Sequence, residues 1–283
     1  MMSHRRRFRS PAGKRGWRHR KIFLFNKGLK EMAGPEATET LMPTSGSLPP
    51  TDDEREIIYS RQKALVPQGK IKPALVVGVG AIGRQVSHIL GAIGVPDITL
   101  IDFDIVNVEN FAAQGYGPEQ RGMFKVQATG QELLKQSPGC NVSVVKGRFR
   151  HGIHGMGAHR VIFSCVDSMS IRKLIWRSVK NDFDFLADGR MLGEALRYFA
   201  VDSKDQDNVN YYGDPKNLYT DSEALEGSCT SKTTLYSAYV IAGKMVQQYT
   251  RWLRGLPIDY DVTENLLTTE IFVSGKDYDR KER

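Results

Sequence analysis

Short apolar runs alternate with amphipathic stretches along most of the chain. Residues 74–77 and 161–165 are almost entirely apolar, a pattern typical of strands buried on both faces. After the first run, apolar residues recur at offsets of four, seven, eight and eleven from Ile82 to Ile93. These offsets lie on one face of a helix, so the pattern predicts a strand, a glycine-rich turn and an amphipathic helix.

The same pattern continues toward the carboxyl end. It predicts strands at 98–101, 141–149, 185–187, 196–201 and 268–273, helices at 123–136, 171–180 and 232–253, and a polar loop at 202–226. Strands that alternate with helices in this way favour an α/β fold. We therefore expect a Rossmann-like, doubly wound, mostly parallel sheet with flanking helices.

The charge is unevenly distributed, and this changes the domain picture. The formal net charge is +8, but residues 1–30 hold 11 Lys or Arg and no acidic residue, leaving 29 basic and 32 acidic residues in the rest. We expect residues 1–53 to be a basic, disordered tail and linker, 54–273 the α/β domain, and 274–283 a polar tail. A basic tail could bind nucleic acid, act as a targeting peptide, or do neither.

Composition excludes several classes. No apolar run approaches the ~20 residues that a membrane span needs, so we expect no membrane partner. The three cysteines, Cys140, Cys165 and Cys229, have no paired spacing. They suit a reducing compartment, so we expect a cytoplasmic location. The absence of a CxxC pair argues against a four-cysteine zinc site.

A glycine motif connects the first strand to the first helix. Gly78, Gly80 and Gly83 form a GxGxxG, and Asp102 follows nineteen residues after the last glycine. In this setting the glycines allow a tight turn and a close approach of the backbone to a phosphate, and the acid reaches a ribose hydroxyl. The motif fits NAD, FAD, S-adenosylmethionine and ATP equally well.

Further motifs separate these ligands. The chain contains D-x-D-x-V-x-x-x-N from Asp102 to Asn110, G-x-x-K-V around Lys125, C-x-D-S-x-x-x-R around Asp167, and Y-S-R-Q around Arg61. In this order and at this spacing, from about residue 59 to 255, the segment resembles the ThiF/MoeB and ubiquitin-activating enzyme family.

The resemblance implies a role for each matching position. Asp102 would hold the ribose, Asn110 and Lys125 would face the phosphates, and Asp167 would carry Mg²⁺ near the α-phosphate. Arg61 would reach the γ-phosphate in the partner subunit of a homodimer. The remaining nucleotide-binding positions that it implies are Gly78, Gly80, Ala81, Ile82, Gly83, Asp104 and Gln114. The implied cofactors are ATP and Mg²⁺.

One position departs from the family pattern. Ala113 stands where the family usually has an arginine that contacts phosphate. Arg61, Arg84 or Arg121 could substitute for it. Alternatively, the protein binds nucleotide without turning it over.

A thiol is the second candidate site. Cys229 begins a C-T-x(11)-A-G segment at the start of the predicted long helix, beside Lys232. A helix amino terminus favours a thiolate, which suits a nucleophile that accepts an acyl group. The segment resembles that of autophagy-type activating enzymes, in which this cysteine forms the thioester. Many free cysteines are simply buried small residues, and this reading also stays open. Cys165 ends a buried strand and Cys140 lies in a loop, so both are poorer candidates.

The sequence therefore predicts an ATP-dependent adenylyltransferase. Its substrate would be the C-terminal carboxylate of a small ubiquitin-like or sulfur-carrier protein, with possible transfer to Cys229. Two alternatives remain: adenylation of another carboxylate, on a peptide or a modified tRNA base, and a nucleotide-binding scaffold without turnover. An NAD- or flavin-dependent oxidoreductase shares only the glycine motif.

Overall fold

The elements follow one another in an alternating order, as the apolar pattern predicts. A computed structural model describes residues 38–42, 49–137, 139–150, 159–220 and 233–275. Within them the strands are β1 (Glu39–Leu41), β2 (Ala74–Val77), β3 (Asp97–Asp102), β4 (Asn141–Lys146), β5 (Val161–Ser164), β6 (Phe185–Leu192), β7 (Ala195–Asp202), β8 (Asp261–Asn265) and β9 (Glu270–Ser274). The helices are α1 (Asp52–Tyr59), α2 (Ala81–Ala92), α3 (Asn110–Gln114), α4 (Lys125–Gln136), α5 (Met169–Val179), α6 (Gln206–Gly213) and α7 (Leu235–Leu253).

The strands form one mixed sheet in the order β1-β4-β3-β2-β5-β6-β7-β8-β9. The five central strands, from β4 to β6, are parallel. Strands β2 and β5 are buried at every position, as expected for parallel strands covered on both faces. From β2 the strand order runs outward through β3 to β4 on one side and then continues through β5 and β6 on the other side of β2, which is the doubly wound arrangement. The predicted fold class is confirmed.

Helices cover both faces of the sheet. On one face, α2, α4 and α7 contribute Val86, Leu133 and Tyr249 to a continuous core. On the other face, α5 and α6 contribute Trp176 and Tyr212 to a second core. The two faces matter for function, because they separate the glycine loop and its helix from the helix that follows β5.

The structure corrects two predictions for the chain and adds one strand that was not predicted. The predicted loop at 202–226 contains α6, which Asp205 caps by accepting the N–H of Asn208. The region predicted as linker contributes β1, which pairs antiparallel with β4. The predicted last strand, now β9, pairs with β8, a strand that the polar sequence 261–265 did not reveal.

Two predicted element boundaries also differ from those in the structure. Strand β4 ends at Lys146, three residues before the predicted end. Helix α7 begins at Leu235 with Thr234 as its N-cap, three residues after the predicted start at 232, so Cys229 lies six positions before the helix in sequence. No helix in the described part of the chain is both long and apolar enough to cross a membrane.

Candidate nucleotide site

The glycine loop follows β2 and lies directly against the turn after β5. Gly78 has a positive φ of 86°, and a Cβ placed on it would come within 2.8 Å of the Cys165 carbonyl oxygen. A Cβ on Gly83 would lie 1.8 Å from the Gly78 carbonyl oxygen. Both positions therefore require glycine, because any side chain would collide with backbone. These two glycines press α2 against the sheet and bring the β2 and β5 turns together.

Gly80 differs from the other two glycines, because the space beside it is open. The only heavy atom within 4 Å of a Cβ placed there is Oε1 of Gln114, at 3.9 Å. That Oε1 is itself buried and has no hydrogen-bond partner. Gly80 is also the N-cap of α2, where no side chain caps the helix. The free N–H groups and the open backbone fit a phosphate group at this point.

Asp102 ends β3 beside this loop and is held by two backbone donors. The Val79 N–H donates to its Oδ2 at 2.6 Å, and the Asp104 N–H donates to its Oδ1 at 2.8 Å. Burial raises the pKa of Asp102, and these two hydrogen bonds oppose the rise. The carboxylate therefore has a fixed orientation at the loop, as a ribose-binding acid needs.

Asp104 and Lys125 form an ion pair next to Asp102. The Lys125 Nζ lies 2.9 Å from the Asp104 Oδ2, and the lysine side chain is only 7% exposed. Asn110 is also buried, and its Oδ1 accepts the Asn107 N–H at 2.9 Å. Only the amide nitrogen of Asn110 is then left for a phosphate. Lys125 and Asn110 thus lie on the segment that leads away from Asp102.

Asp167 lies in the turn between β5 and α5 and is exposed. Ser168, not Asp167, caps α5 by accepting the Ile171 N–H, so Asp167 has no capping role. Because β2 and β5 are parallel neighbours with Val77 opposite Ser164, the turn that carries Asp167 lies beside the glycine loop. The sequence-predicted residues Gly80, Asp102 and Asp167 therefore share one edge of the sheet.

The site can be tested for its fit to Mg·ATP. No group of three His, Cys, Asp or Glu side chains among the described residues is arranged to hold a metal. Mg²⁺ is commonly bound by one or two carboxylates together with substrate phosphates, so the exposed carboxylate of Asp167 is sufficient. The open backbone at Gly80 and the unpartnered Gln114 Oε1 provide space and a polar contact. The residues fit a magnesium nucleotide.

Of the three arginines that could replace the missing one at position 113, Arg84 is committed elsewhere. Its Nη2 contacts the Glu132 carboxylate and the Gly115 carbonyl oxygen, each at 2.8 Å. It holds the segment after α3 against α4, and a phosphate would have to break both contacts. Arg61 and Arg121 are exposed and remain free of this restriction.

The structure describes two of the three cysteines. Cys140 and Cys165 are buried, and burial raises the pKa of each thiol to about 12. Neither is a nucleophile at neutral pH, because the thiolate is the reactive form. Cys229 and Lys232 lie outside the described residues.

Two features near the site were not predicted from the sequence. Phe103 is 47% exposed beside Asp102, and the Arg148 guanidinium carbon lies 4.1 Å from its ring centroid. The exposed aromatic residue between two acids was a visible signal for Phe103, whereas Arg148 gave none. A second feature is a buried network of Asp188 with Arg172 and Arg190; Arg172 is the arginine of the C-x-D-S-x-x-x-R motif, whereas no motif indicated Asp188 or Arg190.

Comparison with curated proteins finds relatives that share part of their length with this chain. It is 30% identical over 138 residues to ubiquitin-like modifier-activating enzyme 5 of Caenorhabditis briggsae, covering 41% of this chain and 32% of that protein. It is 29% identical over 130 residues to the molybdopterin-synthase adenylyltransferase of Salmonella typhimurium, covering 42% and 52%. The matches thus span about a third to a half of the relatives' length.

Comparison with solved structures, followed by comparison with family models, completes the assignment. E. coli MccB with ATP superposes with a TM-score of 0.60 at 17% identity, covering 77% of this chain and 71% of that one. PaaA gives a TM-score of 0.62 at 14% identity, covering 83% and 77%. These likenesses establish the fold. The model of the ThiF family matches residues 61–276, well over half of the chain, and the protein therefore belongs to the ThiF family.

Proposed function

We propose that this protein adenylates the C-terminal carboxylate of a small ubiquitin-like or sulfur-carrier protein, using ATP. The observation that carries the proposal is the open backbone at Gly80, flanked on one sheet edge by Asp102 and Asp167. The names of the two curated relatives, an enzyme that activates a ubiquitin-like modifier and a molybdopterin-synthase adenylyltransferase, support the same reaction.

The reaction joins two negatively charged groups. A carboxylate oxygen of the substrate attacks the α-phosphorus, a new P–O bond forms, and pyrophosphate leaves with the bonding electron pair. Cations must neutralise this charge in the transition state. Lys125 is a buried cation paired with Asp104, and a phosphate would compete with Asp104 for its ammonium group. Mg²⁺ held at Asp167 would supply further positive charge.

The adenosine part of the nucleotide also has matching groups. Asp102 accepts only backbone N–H groups among the described residues, and its remaining lone pairs can accept ribose hydroxyls. The Phe103 ring, with Arg148 stacked at 4.1 Å, offers an exposed aromatic surface beside it. A purine base stacks well on such a surface. We assign Phe103 as a base-stacking residue on this ground.

The homodimer remains part of the proposal. Arg61 is exposed in the turn after α1, and large apolar residues around it are also exposed: Ile57 by 73%, Ile58 by 47% and Leu65 by 58%. Contiguous exposed apolar residues are typical of an interaction surface. A second subunit on this surface would place Arg61 at the boundary between the two copies, in agreement with its predicted role in the partner's site.

The first test is binding of Mg·ATP, measured by thermal shift against NAD and S-adenosylmethionine. A ligand at about 100 times its dissociation constant adds about 2.7 kcal/mol to stability. We expect a shift with Mg·ATP and none with the other two. A shift with NAD alone would overturn the proposal. Binding of ATP without pyrophosphate exchange, in the presence of ubiquitin-like proteins that end in Gly-Gly, would favour the scaffold alternative.

The Asp167→Ala variant should lose adenylation while it keeps its fold. We expect ATP–pyrophosphate exchange to fall by at least about 100-fold, because removing one group that stabilises transition-state charge has effects of this size. The melting temperature should not change, since Asp167 is exposed and caps no helix. Asp182→Ala is the matched control, an exposed aspartate that precedes β6 at the opposite sheet edge. Normal exchange in Asp167→Ala would refute the assigned role.

We further propose that Cys229 accepts the acyl group as a thioester. Cys140 and Cys165 are buried with raised pKa values, and the remaining cysteine, Cys229, begins the Cys-Thr segment that implies this role. The Cys229→Ala variant should still exchange pyrophosphate but should form no conjugate that a reducing agent cleaves. Non-reducing gel electrophoresis after incubation with Mg·ATP and substrate measures this. A reducible conjugate in the variant would identify another thiol as the acceptor.

A further inference from the structure

A basic cavity lies on the sheet face that carries α5 and α6, apart from the nucleotide-binding residues. Its volume is about 460 Å³, and its lining residues are Lys173, Pro215, Lys216, Leu218, Tyr219 and Thr220. Two of the six are lysines and none is acidic. The other lining residues, Pro215, Leu218, Tyr219 and Thr220, are uncharged, so an acidic group there would meet only positive charge.

The two lysines are weakly paired. The Lys216 Nζ lies 3.8 Å from the Asp214 carboxylate, and both side chains are well exposed, so the attraction is small. Lys173 is half-buried on α5 and has no ion-pair partner among the residues that the structure describes. Both ammonium groups are therefore available to a ligand.

More positive charge lies behind the cavity wall. Asp188 is fully buried and receives hydrogen bonds from Arg172, Arg190 and the Tyr212 hydroxyl. Two guanidinium groups face one carboxylate, which leaves one net positive charge in a buried network. Burial, followed by the charge of Arg190, lowers the pKa of Arg172 to about 10, which leaves Arg172 protonated at neutral pH.

Tyr219 connects this network to the cavity. Its ring lies 5.7 Å from the Arg190 guanidinium carbon, and the same residue lines the cavity. The Arg190 Nη1 is buried and has no hydrogen-bond partner. The unbalanced charge therefore lies just behind one wall, where the surrounding protein screens it less than water would.

The cavity is close to the proposed reaction centre along α5. Arg172 donates to the carbonyl oxygens of Val166 and Gly189, and thus ties the Asp167 turn to β6. Lys173 is the next residue on the helix, four residues after its start, or about 6 Å of helical rise. A peptide that reaches Asp167 with its carboxyl end can therefore place an upstream side chain near the cavity.

We propose that this cavity is a subsite for an acidic side chain in the C-terminal segment of the protein substrate. Lys173 and Lys216 contact the carboxylate, and the net charge of the Arg172–Asp188–Arg190 network adds a favourable potential. This inference rests on the proposed function, because it assumes a protein substrate. It specifies the chemistry of that substrate: at least one Asp or Glu upstream of the terminal residue.

The test uses two synthetic decapeptides that end in Gly-Gly-amide. One carries three glutamates upstream of the glycines, and the other carries glutamines at those positions. Isothermal titration at low salt should show at least tenfold tighter binding of the glutamate peptide. The double variant Lys173→Glu, Lys216→Glu should lose this preference. Lys135→Glu is the control, because Lys135 is exposed on α4, on the opposite face of the sheet.

Several results would overturn the inference. Equal binding of the two peptides, or an equal loss in the Lys135→Glu control, would mean that no specific acidic subsite exists. Displacement of the glutamate peptide by millimolar inorganic phosphate would identify a phosphate site instead. The peptides are amidated and need no turnover, so the result is independent of adenylation. If the wild-type protein binds Mg·ATP but shows no preference for the glutamate peptide, only the subsite is refuted. If it prefers the glutamate peptide but does not bind Mg·ATP, the proposed nucleotide function is refuted.

Discussion

Replacing Asp188 with alanine is expected to lower the free energy of unfolding by about 3–5 kcal/mol, the usual cost of breaking a buried ion pair. The Asp188 side chain is 0% exposed, and it is the shared acceptor for Arg172, Arg190 and Tyr212. Without it, two guanidinium groups remain buried without a counter-ion. Urea unfolding followed by circular dichroism measures the change.

The matched control for this experiment is Asp182→Ala. Asp182 also pairs with an arginine, Arg160, but its side chain is 60% exposed. Exposed ion pairs contribute about 0–1 kcal/mol, so this variant should unfold close to the wild type. If Asp188→Ala cost no more than the control, the buried network would not stabilise the fold, and the excess charge inferred behind the cavity wall would have to be reconsidered.

The Gly83→Ala variant should be destabilised by at least about 3 kcal/mol, at the upper end for overpacking of a rigid region. The new Cβ would lie 1.8 Å from the Gly78 carbonyl oxygen, which is backbone and cannot move aside independently. The β2 turn and the first turn of α2 would have to separate. Thermal unfolding of the purified variant measures this, and we expect poor expression as well.

The Gly80→Ala variant is the comparison for Gly83→Ala, because it should affect nucleotide affinity rather than stability. Only Gln114 Oε1 lies within 4 Å of its new Cβ, at 3.9 Å, so stability should change by less than about 1 kcal/mol. Affinity for Mg·ATP should nevertheless fall at least tenfold, because the methyl group occupies the space assigned to a phosphate. Unchanged ATP affinity in a folded Gly80→Ala variant would move the phosphates away from this loop.

The sequence predicted those parts of the fold in which burial or a tight turn is visible in a short stretch of consecutive residues. Strands β2 and β5 are continuous apolar runs because both of their faces are covered. The glycine motif was readable because two of its positions have no room for a side chain. The positions of Asp102 and Asp167 were predictable because Asp102 ends the strand β3 and Asp167 follows the strand β5.

The missed parts depend on partners that are distant in sequence. Strand β8 begins with Asp261, whose burial depends on a pair of hydrogen bonds from Arg197, 64 residues away. Helix α6 reads as polar, yet it buries Tyr212 against Trp176 and Phe199. Asp188 looked like an ordinary residue in an apolar strand, because one of the two arginines that neutralise it, Arg172, comes from α5, and nothing in the sequence shows that Arg190, two residues further along β6, folds back onto it.

The burial of two thiols has a practical consequence for covalent labelling. Burial raises the pKa of the Cys140 and Cys165 thiols to about 12, so very little of either thiol is ionised at pH 8, and the ionised form is the one that reacts. Any fast modification of the native protein by a maleimide reagent is therefore assigned to Cys229. The wild-type chain thus has at most one readily addressable thiol, and a fluorophore can be attached there without first removing the other two cysteines.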